Sequence, residues 1–136
     1  GFSSFTLVDT MKLQPDRSDL LSITAYGPSW IAVNGKSYSH HLLVSAHGFV
    51  EPWLGNPLFN DMPDQSDLVL KTGCEILLLG CGKKQFFIPP SNLISFMNKG
   101  VGVETMGTAA ACRTFNVLAS EGRQVTAVLL LEEVVI

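Results

Sequence analysis

The chain contains 136 residues, and its nine Lys and Arg against twelve Asp and Glu give a net charge of −3. Charged residues make up 15% of the chain, whereas a soluble domain usually carries about 25%. An acidic chain with so few basic residues is a poor nonspecific binder of nucleic acid, so we predict no nucleic-acid partner. A disordered chain is also excluded, because 46% of the residues are hydrophobic and the net charge is small.

The length predicts one domain at residues 20–136, preceded by an N-terminal arm at residues 1–19 that mixes polar, proline and charged residues. The longest apolar runs, at residues 76–79 and 127–131, are far shorter than a membrane span, for which about 18 residues are needed. No signal-peptide pattern opens the chain, and its three cysteines are an odd number without framework spacing. We therefore expect a cytoplasmic protein.

The first half of the domain has the pattern of antiparallel strands. Strands are predicted at residues 20–26, 30–33 and 36–45, separated by turns at residues 27–29 and 34–35. Asn34-Gly35 is the strongest hairpin signal in the chain, because both residue types tolerate a positive φ. Residues 48–65 are rich in proline and glycine and are predicted to be irregular, followed by a short helix over residues 66–72.

The second half alternates strands with helices. The predicted strands are residues 75–79, 86–88, 101–105 and 124–131, and the predicted helices are residues 90–99 and 109–121, the second capped by Thr108. Connections of about ten residues or more are what parallel strands need. The pattern predicts an α/β domain in which antiparallel N-terminal hairpins precede a C-terminal β-α-β-α-β unit.

Charge is missing from one part of the chain. Residues 20–60 contain only Lys36 and Glu51 as charged side chains, but they hold half of the aromatic ones. Either these aromatic side chains pack on the α/β core, or part of the layer faces a protein partner, since Tyr, Trp and Phe are enriched at interfaces. The same layer could instead mediate homo-oligomerisation. The candidate partner face consists of Trp30, Tyr38, Trp53 and Phe59.

Several patterns resemble chemical motifs without meeting their requirements. Residues 80–84 (GCGKK) lack the spacing of a Walker loop, and Gln85 stands at the third glycine of a dinucleotide-binding loop. His40 and His41 are adjacent, so on a strand they point to opposite faces. Cys112 lies near a helix start beside Arg113, which favours a thiolate, but it also neighbours the buried face of that helix. We predict no metal, no cofactor and no catalytic residue.

One place favours a ligand pocket. In α/β sheets, ligands bind beyond the carboxyl ends of the strands, and a helix that begins there offers free N–H donors. The polar stripe farther along that helix is either a solvated face or the rim of an anion site. The candidate pocket consists of Gly80, Cys81, Gly82, Met106, Thr108, Arg113 and Asn116.

Residues 100–118 (GVGVETMGTAAACRTFNVL), followed by Glu121-Gly122-Arg123, resemble the signature of a small domain family of unknown function. Many bacterial proteins and a mitochondrial complex I assembly factor share this signature. Residues 76–82 followed by Pro89-Pro90, and residues 26–38, are similar to the family as well. The resemblance covers about residues 20–131 and is closer to the bacterial members. Cys81 departs from it, because a Thr or a similar small residue is expected there.

The resemblance implies a three-layer β/β/α arrangement with a central mixed sheet and no established enzyme activity. It also implies protein binding during assembly of the respiratory NADH dehydrogenase, with respiratory-complex subunits as partners, in the mitochondrial matrix if the source is eukaryotic. The leading hypothesis is therefore a non-enzymatic protein-binding or assembly module. The alternative is a small-molecule or anion-binding protein, or an enzyme, that uses the loops at the strand ends.

Overall fold

The computed structural model describes residues 20–53, 63–83 and 90–133. The strands in this part of the chain are β1 (Ile23–Gly27), β2 (Trp30–Val33), β3 (Lys36–Tyr38), β4 (Leu42–Ser45), β5 (Phe49–Pro52), β6 (Ile76–Cys81), β7 (Gly102–Met106) and β8 (Val125–Leu130). The helices are α1 (Pro63–Lys71), α2 (Ile94–Asn98), which follows a 3-10 turn at Pro90–Leu93, and α3 (Thr108–Ser120). Among these residues, no helix is both long enough and apolar enough to cross a membrane.

The strands form two sheets. The first is a three-stranded antiparallel sheet in the order β1-β2-β3, which we call the small sheet. The second is a five-stranded sheet in the order β5-β4-β8-β6-β7, which we call the central sheet. In the central sheet β4 is antiparallel to β5 and β8, whereas β6 is parallel to both of its neighbours. The structure therefore confirms an α/β domain with N-terminal hairpins and a mixed sheet.

The two helical crossovers lie on opposite faces of the central sheet. The chain runs from β6 through α2 to β7, and then back through α3 past β6 to β8. Right-handed connections that move in opposite directions across a sheet place their helices on opposite faces. Accordingly, Phe115 of α3 packs in one cluster with Leu78 and Leu129, whereas Phe96 of α2 packs in another with Leu77. The middle strands are covered on both faces, as their continuous apolar sequences predict.

The small sheet lies on the same face of the central sheet as α3. Ile31 and Val33 of β2 belong to the cluster that contains Phe115, together with Ile23 of β1. On the other face, α1 contributes Val69 to the cluster around Phe96. The central sheet is thus enclosed by a layer of small sheet and α3 on one side and by α1 and α2 on the other.

The predicted strand over residues 36–45 is wrong as a single element. β3 ends at Tyr38 in the small sheet, and β4 begins at Leu42 in the central sheet. All four residues of β4 are buried, so this segment needs cover on both faces, whereas β3 is mostly exposed at the rim of a sheet with one open face. The change from an alternating to a continuous apolar sequence marks the crossing from one sheet to the other.

Other boundaries agree more closely with the sequence. Asn34 and Gly35 have φ values of 49° and 85° and form the turn between β2 and β3, as predicted. β6 extends through Gly80 and Cys81 rather than ending before them, and Gly107 rather than Thr108 is the N-cap of α3. The strand predicted at residues 86–88 lies outside the described residues.

Candidate functional site

Thr108 joins the carboxyl ends of two central strands to the start of α3. Its Oγ1 accepts a hydrogen bond from the Gly82 N–H at 2.8 Å and donates one to the Leu130 carbonyl at 2.5 Å. The Thr108 N–H in turn donates to the Gly82 carbonyl at 2.8 Å. Thr108 is only 5% exposed. These bonds occupy the place beyond the carboxyl ends of the strands at which α/β proteins bind ligands. We call this place, formed by Gly82, Thr108 and Leu130, the strand-end seam.

Gly80 allows α3 to begin directly on top of β6. A Cβ atom at Gly80 would lie 3.1 Å from the Cα of Thr108 and 3.1 Å from the side chain of Leu129. Met106 is the register partner of Gly80 on β7, and its side chain is partly buried against the core. Cys81 is buried, with its Sγ 3.7 Å from the Leu79 carbonyl. The structure thus brings these predicted pocket residues together, but as a packed junction.

The other two predicted pocket residues, Arg113 and Asn116, connect α3 to β1. The Asn116 Oδ1 accepts a hydrogen bond from the Ile23 N–H at 2.8 Å, and its Nδ2 donates one to the Ile23 carbonyl at 2.8 Å. Asn116 therefore satisfies both backbone groups of an edge-strand residue, much as a neighbouring strand would. The Arg113 Nη1 donates to the hydroxyl of Tyr26 at 3.0 Å. The pocket predicted as one site is divided between the strand-end seam and the α3–β1 contact.

A cavity of about 180 Å³ lies where the chain enters β1 beside the second half of α3. Its lining residues are Leu20, Leu21, Ser22, Asn116, Ala119 and Ser120. Asn116 alone is shared with the pocket predicted from the sequence. Sequence reasoning missed this cavity because its two walls are more than ninety residues apart in the chain, and no spacing pattern links them.

The cysteine thiols lie away from the surface. Cys112 is fully buried on the inner side of α3, and this burial raises the pKa of its thiol to about 12, although Arg113 next to it acts in the opposite direction. A thiol with this pKa stays protonated at neutral pH and is a poor nucleophile. Cys74 and Cys81 are also buried, and all three cysteines are free.

The two adjacent histidines lie on the segment that connects β3 to β4. The Nδ1 of His41 accepts a hydrogen bond from the Leu131 N–H at 3.0 Å, and the His41 carbonyl lies 2.9 Å from the Nδ1 of His40. Partial burial, together with the nearby His40, lowers the pKa of His41 below its ordinary value. Within the described parts of the chain, no group of three or more His, Cys, Asp or Glu side chains is arranged to hold a metal ion.

The strand register assigns each residue of the small sheet to one of its two faces. Tyr38 pairs with Ile31 and packs inward against the core. Trp30 precedes Ile31 in the strand and therefore points outward. The outward-facing positions are Ala25, Gly27, Trp30, Ala32 and Ser37, and we call them the outer face.

The four aromatic residues of the predicted partner face do not form one surface. Trp30 lies on the outer face and Tyr38 on the inner one. Trp53 is only 2% exposed and packs in the cluster around Phe96, so its predicted role as a surface contact is wrong. The reason is that the segment after β5 is covered by the helical layer on the far side of the central sheet. Phe59 lies outside the described residues.

Residues 23–130 match a family described as protein of unknown function (DUF498/DUF598). The chain belongs to this family. It is 34% identical to an uncharacterized protein of Rhodobacter capsulatus over 86% of this chain and 90% of that protein. It is 32% identical to the NADH dehydrogenase (ubiquinone) 1 alpha subcomplex assembly factor 3 of Xenopus tropicalis, over 88% of this chain and 66% of that protein.

A solved structure supports the same assignment. The solution NMR structure of a Bordetella pertussis protein, described as a Mth938-like domain, is 31% identical and superposes with a TM-score of 0.73. The match covers 91% of this chain and 94% of that one. The family resemblance expected from residues 100–118 is therefore confirmed, and so is the relation to a complex I assembly factor.

Proposed function

We propose that this domain acts by binding other proteins and that it takes part in the assembly of a respiratory NADH dehydrogenase. Its relatives in Xenopus tropicalis and humans are named as assembly factors of that enzyme. The chain spans 66% and 65% of those two relatives, so the activity of the whole relative belongs to this proposal. Three buried free cysteines support a reducing compartment such as the cytoplasm as the place of action.

The observation that carries the proposal is the outer face. One side of the small sheet packs on the core, and its outer face consists of glycine, alanine, serine and one tryptophan. The indole of Trp30 lies over Gly27 and is partly exposed. Ala25 and Ser37 are exposed, Gly27 is partly exposed, and Ala32 between them is buried. A surface without charged residues at these positions and with an indole anchor is typical of protein interfaces, where tryptophan often dominates the binding energy.

The alternative hypothesis, a ligand at the carboxyl ends of the central strands, has less support. The Thr108 hydroxyl and the Gly82 backbone groups, which would have to bind that ligand, are bonded to each other and to Leu130. A ligand there would have to replace three short internal hydrogen bonds. We therefore assign the function to the outer face rather than to the strand-end seam.

The proposal is tested by placing a charge on the outer face. Ser37 is exposed, so Ser37→Glu leaves the core intact while burying a carboxylate in any complex formed through this face. The control is Ile94→Glu, which adds the same charge at a position that is 52% exposed on α2, across the central sheet. Tagged wild-type and variant chains are expressed in the source cell, and captured proteins are quantified by mass spectrometry.

We expect the wild-type chain and Ile94→Glu to enrich NADH dehydrogenase subunits, and Ser37→Glu to lose them while keeping its thermal stability. Capture of the same subunits by Ser37→Glu would contradict the use of the outer face, and their absence from the wild-type capture would contradict the assembly role. Homo-oligomerisation through this face is the competing use. Sedimentation would detect it as an oligomer that Ser37→Glu converts to a monomer.

A further inference from the structure

A second surface lies between the edge of β1 and the outer side of α3. Tyr26 and Val117 are two of the large hydrophobic side chains that remain exposed, at 39% and 54% respectively. Arg113 is also exposed and lies four residues before Val117, so the two share one side of the helix. Tyr26 pairs with Ile31, which places it on the opposite side of the small sheet from Trp30. We call Tyr26, Arg113 and Val117 the Tyr-Arg patch.

Arg113 carries a positive charge that is not neutralised within the described residues. The ion pair found there joins Arg123 to Glu75, at 3.2 Å, and does not involve Arg113. The contact shown for the Arg113 guanidinium is its 3.0 Å hydrogen bond to the Tyr26 hydroxyl. This bond uses one of the five guanidinium donors and holds the group beside the phenol ring.

The two polar groups of the patch can donate to one acceptor. A tyrosine hydroxyl that accepts a hydrogen bond from arginine keeps its own proton for donation. The guanidinium still presents a planar fork of N–H groups, whose geometry matches the two oxygens of a carboxylate. Because the hydrogen bond between Tyr26 and Arg113 already fixes the arginine, less side-chain entropy is lost when a carboxylate binds. Val117 and the phenol ring supply apolar area next to these donors.

We propose that the Tyr-Arg patch binds an Asp or Glu side chain of a partner protein, in a segment whose neighbouring aliphatic side chain packs on Val117. We choose an acidic side chain as the occupant because Arg113 is exposed and has no carboxylate partner within the described residues. The apolar area beside Arg113 accounts for the neighbouring aliphatic side chain. Tyrosine and arginine are also among the residues that most often dominate interface energies. The Tyr-Arg patch and the outer face are different surfaces, so a test of one proposal does not decide the other.

The probe is a phage-displayed library of random linear peptides, selected against the immobilised 136-residue chain. Enriched peptides are synthesised, and their affinities for the wild-type chain and for four variants are measured by fluorescence anisotropy. Arg113→Gln removes the charge, Tyr26→Phe removes the hydroxyl only, and Val117→Glu adds a repelling carboxylate at an exposed position. The matched control is Arg123→Gln, which removes an exposed arginine elsewhere on the surface. Thermal melts verify that each variant is folded.

We expect the enriched peptides to share an Asp or Glu beside an aliphatic residue. Their affinity should fall at least about tenfold in Arg113→Gln and in Val117→Glu, and less in Tyr26→Phe, because a hydrogen bond to a charged group is being removed. The Arg123→Gln control should bind like the wild type. Replacing the peptide's acidic residue by its amide should weaken binding to the wild type and leave binding to Arg113→Gln unchanged.

Three results would overturn the proposal. The first is a selection that enriches no peptide, the second a consensus without an acidic residue, and the third equal affinity for the wild type and Arg113→Gln. Sedimentation of the chain without peptide tests whether a second copy of the chain occupies the patch instead. A dimer that Arg113→Gln dissociates would show that a second copy of this chain covers the patch, and that result would replace the proposed partner segment.

Discussion

Two threonine hydroxyls, one in the small sheet and one at the start of α3 beyond the strand ends of the central sheet, each link a backbone N–H to a backbone carbonyl, but their surroundings differ. In the small sheet, the Thr24 hydroxyl accepts from the Gly35 N–H at 3.0 Å and donates to the Ala32 carbonyl at 3.4 Å, and Thr24 is exposed to water. At the strand-end seam, Thr108 makes the same two kinds of bond while buried. Water can replace the Thr24 hydroxyl but cannot reach the partners of Thr108.

This contrast separates the part of the molecule that determines the fold from the part that is free to carry function. The central sheet is covered on both faces, so a substitution in it leaves a cavity, a clash or an unbonded polar group. The small sheet packs on the core through one face, so the exposed residues of its outer face, such as Ala25 and Ser37, can change with little cost in stability. Proposals about binding therefore belong to the small sheet and its contact with α3, and stability measurements can test this division.

The largest effect is expected from a cavity in the central sheet. Leu129 in β8 is fully buried in the cluster that joins the central sheet to α3. Leu129→Ala should lower the free energy of unfolding by about 2–5 kcal/mol, because transfer energy is lost and a cavity remains. Urea denaturation measures this loss. The control, Val117→Ala on the exposed side of α3, should change the free energy of unfolding by less than about 0.5 kcal/mol. Similar losses in both variants would contradict the division.

The second prediction compares the two threonines directly. Thr108→Val leaves the Gly82 N–H and the Leu130 carbonyl buried without their partner and should destabilise the chain by about 2–4 kcal/mol. Thr24→Val is the matched control, since it removes the same kind of hydroxyl from a position that water reaches, and its cost should stay below about 1 kcal/mol. Equal costs in urea denaturation would show that the seam is not sealed from water.

The third prediction compares two glycines. Gly80→Ala places a methyl group 3.1 Å from the Cα of Thr108, and because this is a backbone atom, α3 itself must shift. The expected cost is about 1–3 kcal/mol, as for other overpacked cores. In Gly27→Ala the new methyl group meets the Trp30 indole, a side chain that can rotate. Gly27→Ala should therefore cost less stability than Gly80→Ala and change the tryptophan fluorescence, and the reverse order would contradict this account.

The sequence predicts the fold well where the pattern is local. The Asn34-Gly35 turn needs two residues with positive φ, and residues of those types are adjacent. The continuous apolar segment around Leu78 predicts a strand covered on both faces. The alternation of strands with helices then fixes a parallel core, because only crossovers connect parallel neighbours.

The candidate site is harder to predict because its contacts are not local. The partners of the Thr108 hydroxyl lie 26 and 22 residues away, so the sequence places Thr108 at the right strand end but cannot show that its hydroxyl is already bonded. The contact between Tyr26 and Arg113 spans 87 residues. Trp53 has the same aromatic, charge-poor surroundings in sequence as Trp30. Only the packing of the helical layer over the far face of the central sheet distinguishes them.

The smallest expected effect concerns pH and the junction between the two sheets. His41 lies just before β4, where the chain leaves the small sheet, and its Nδ1 accepts the Leu131 N–H. Burial and His40 lower the pKa of His41 from its ordinary value of 6.5. Above this value His41 is neutral in both the folded and the unfolded chain. As the pH falls below 6.5 the unfolded chain takes up the proton first, so the free energy of unfolding decreases until the lowered folded-state pKa is passed.

The measurement is urea denaturation at about pH 7.5 and about pH 5.5, where Glu75 contributes little because its carboxyl pKa is lowered from an ordinary value of 4.5. His41→Gln should show a weaker pH dependence than the wild type, whereas His47→Gln, the control at an exposed histidine, should keep it. If both variants lose stability with acid as the wild type does, protonation of His41 is not the cause of the loss. If only His41→Gln has a flattened pH profile, protonation of His41 causes the loss of stability. The acid-sensitive group then lies on the connection from β3 to β4, where its ring accepts the Leu131 N–H at the end of the central sheet.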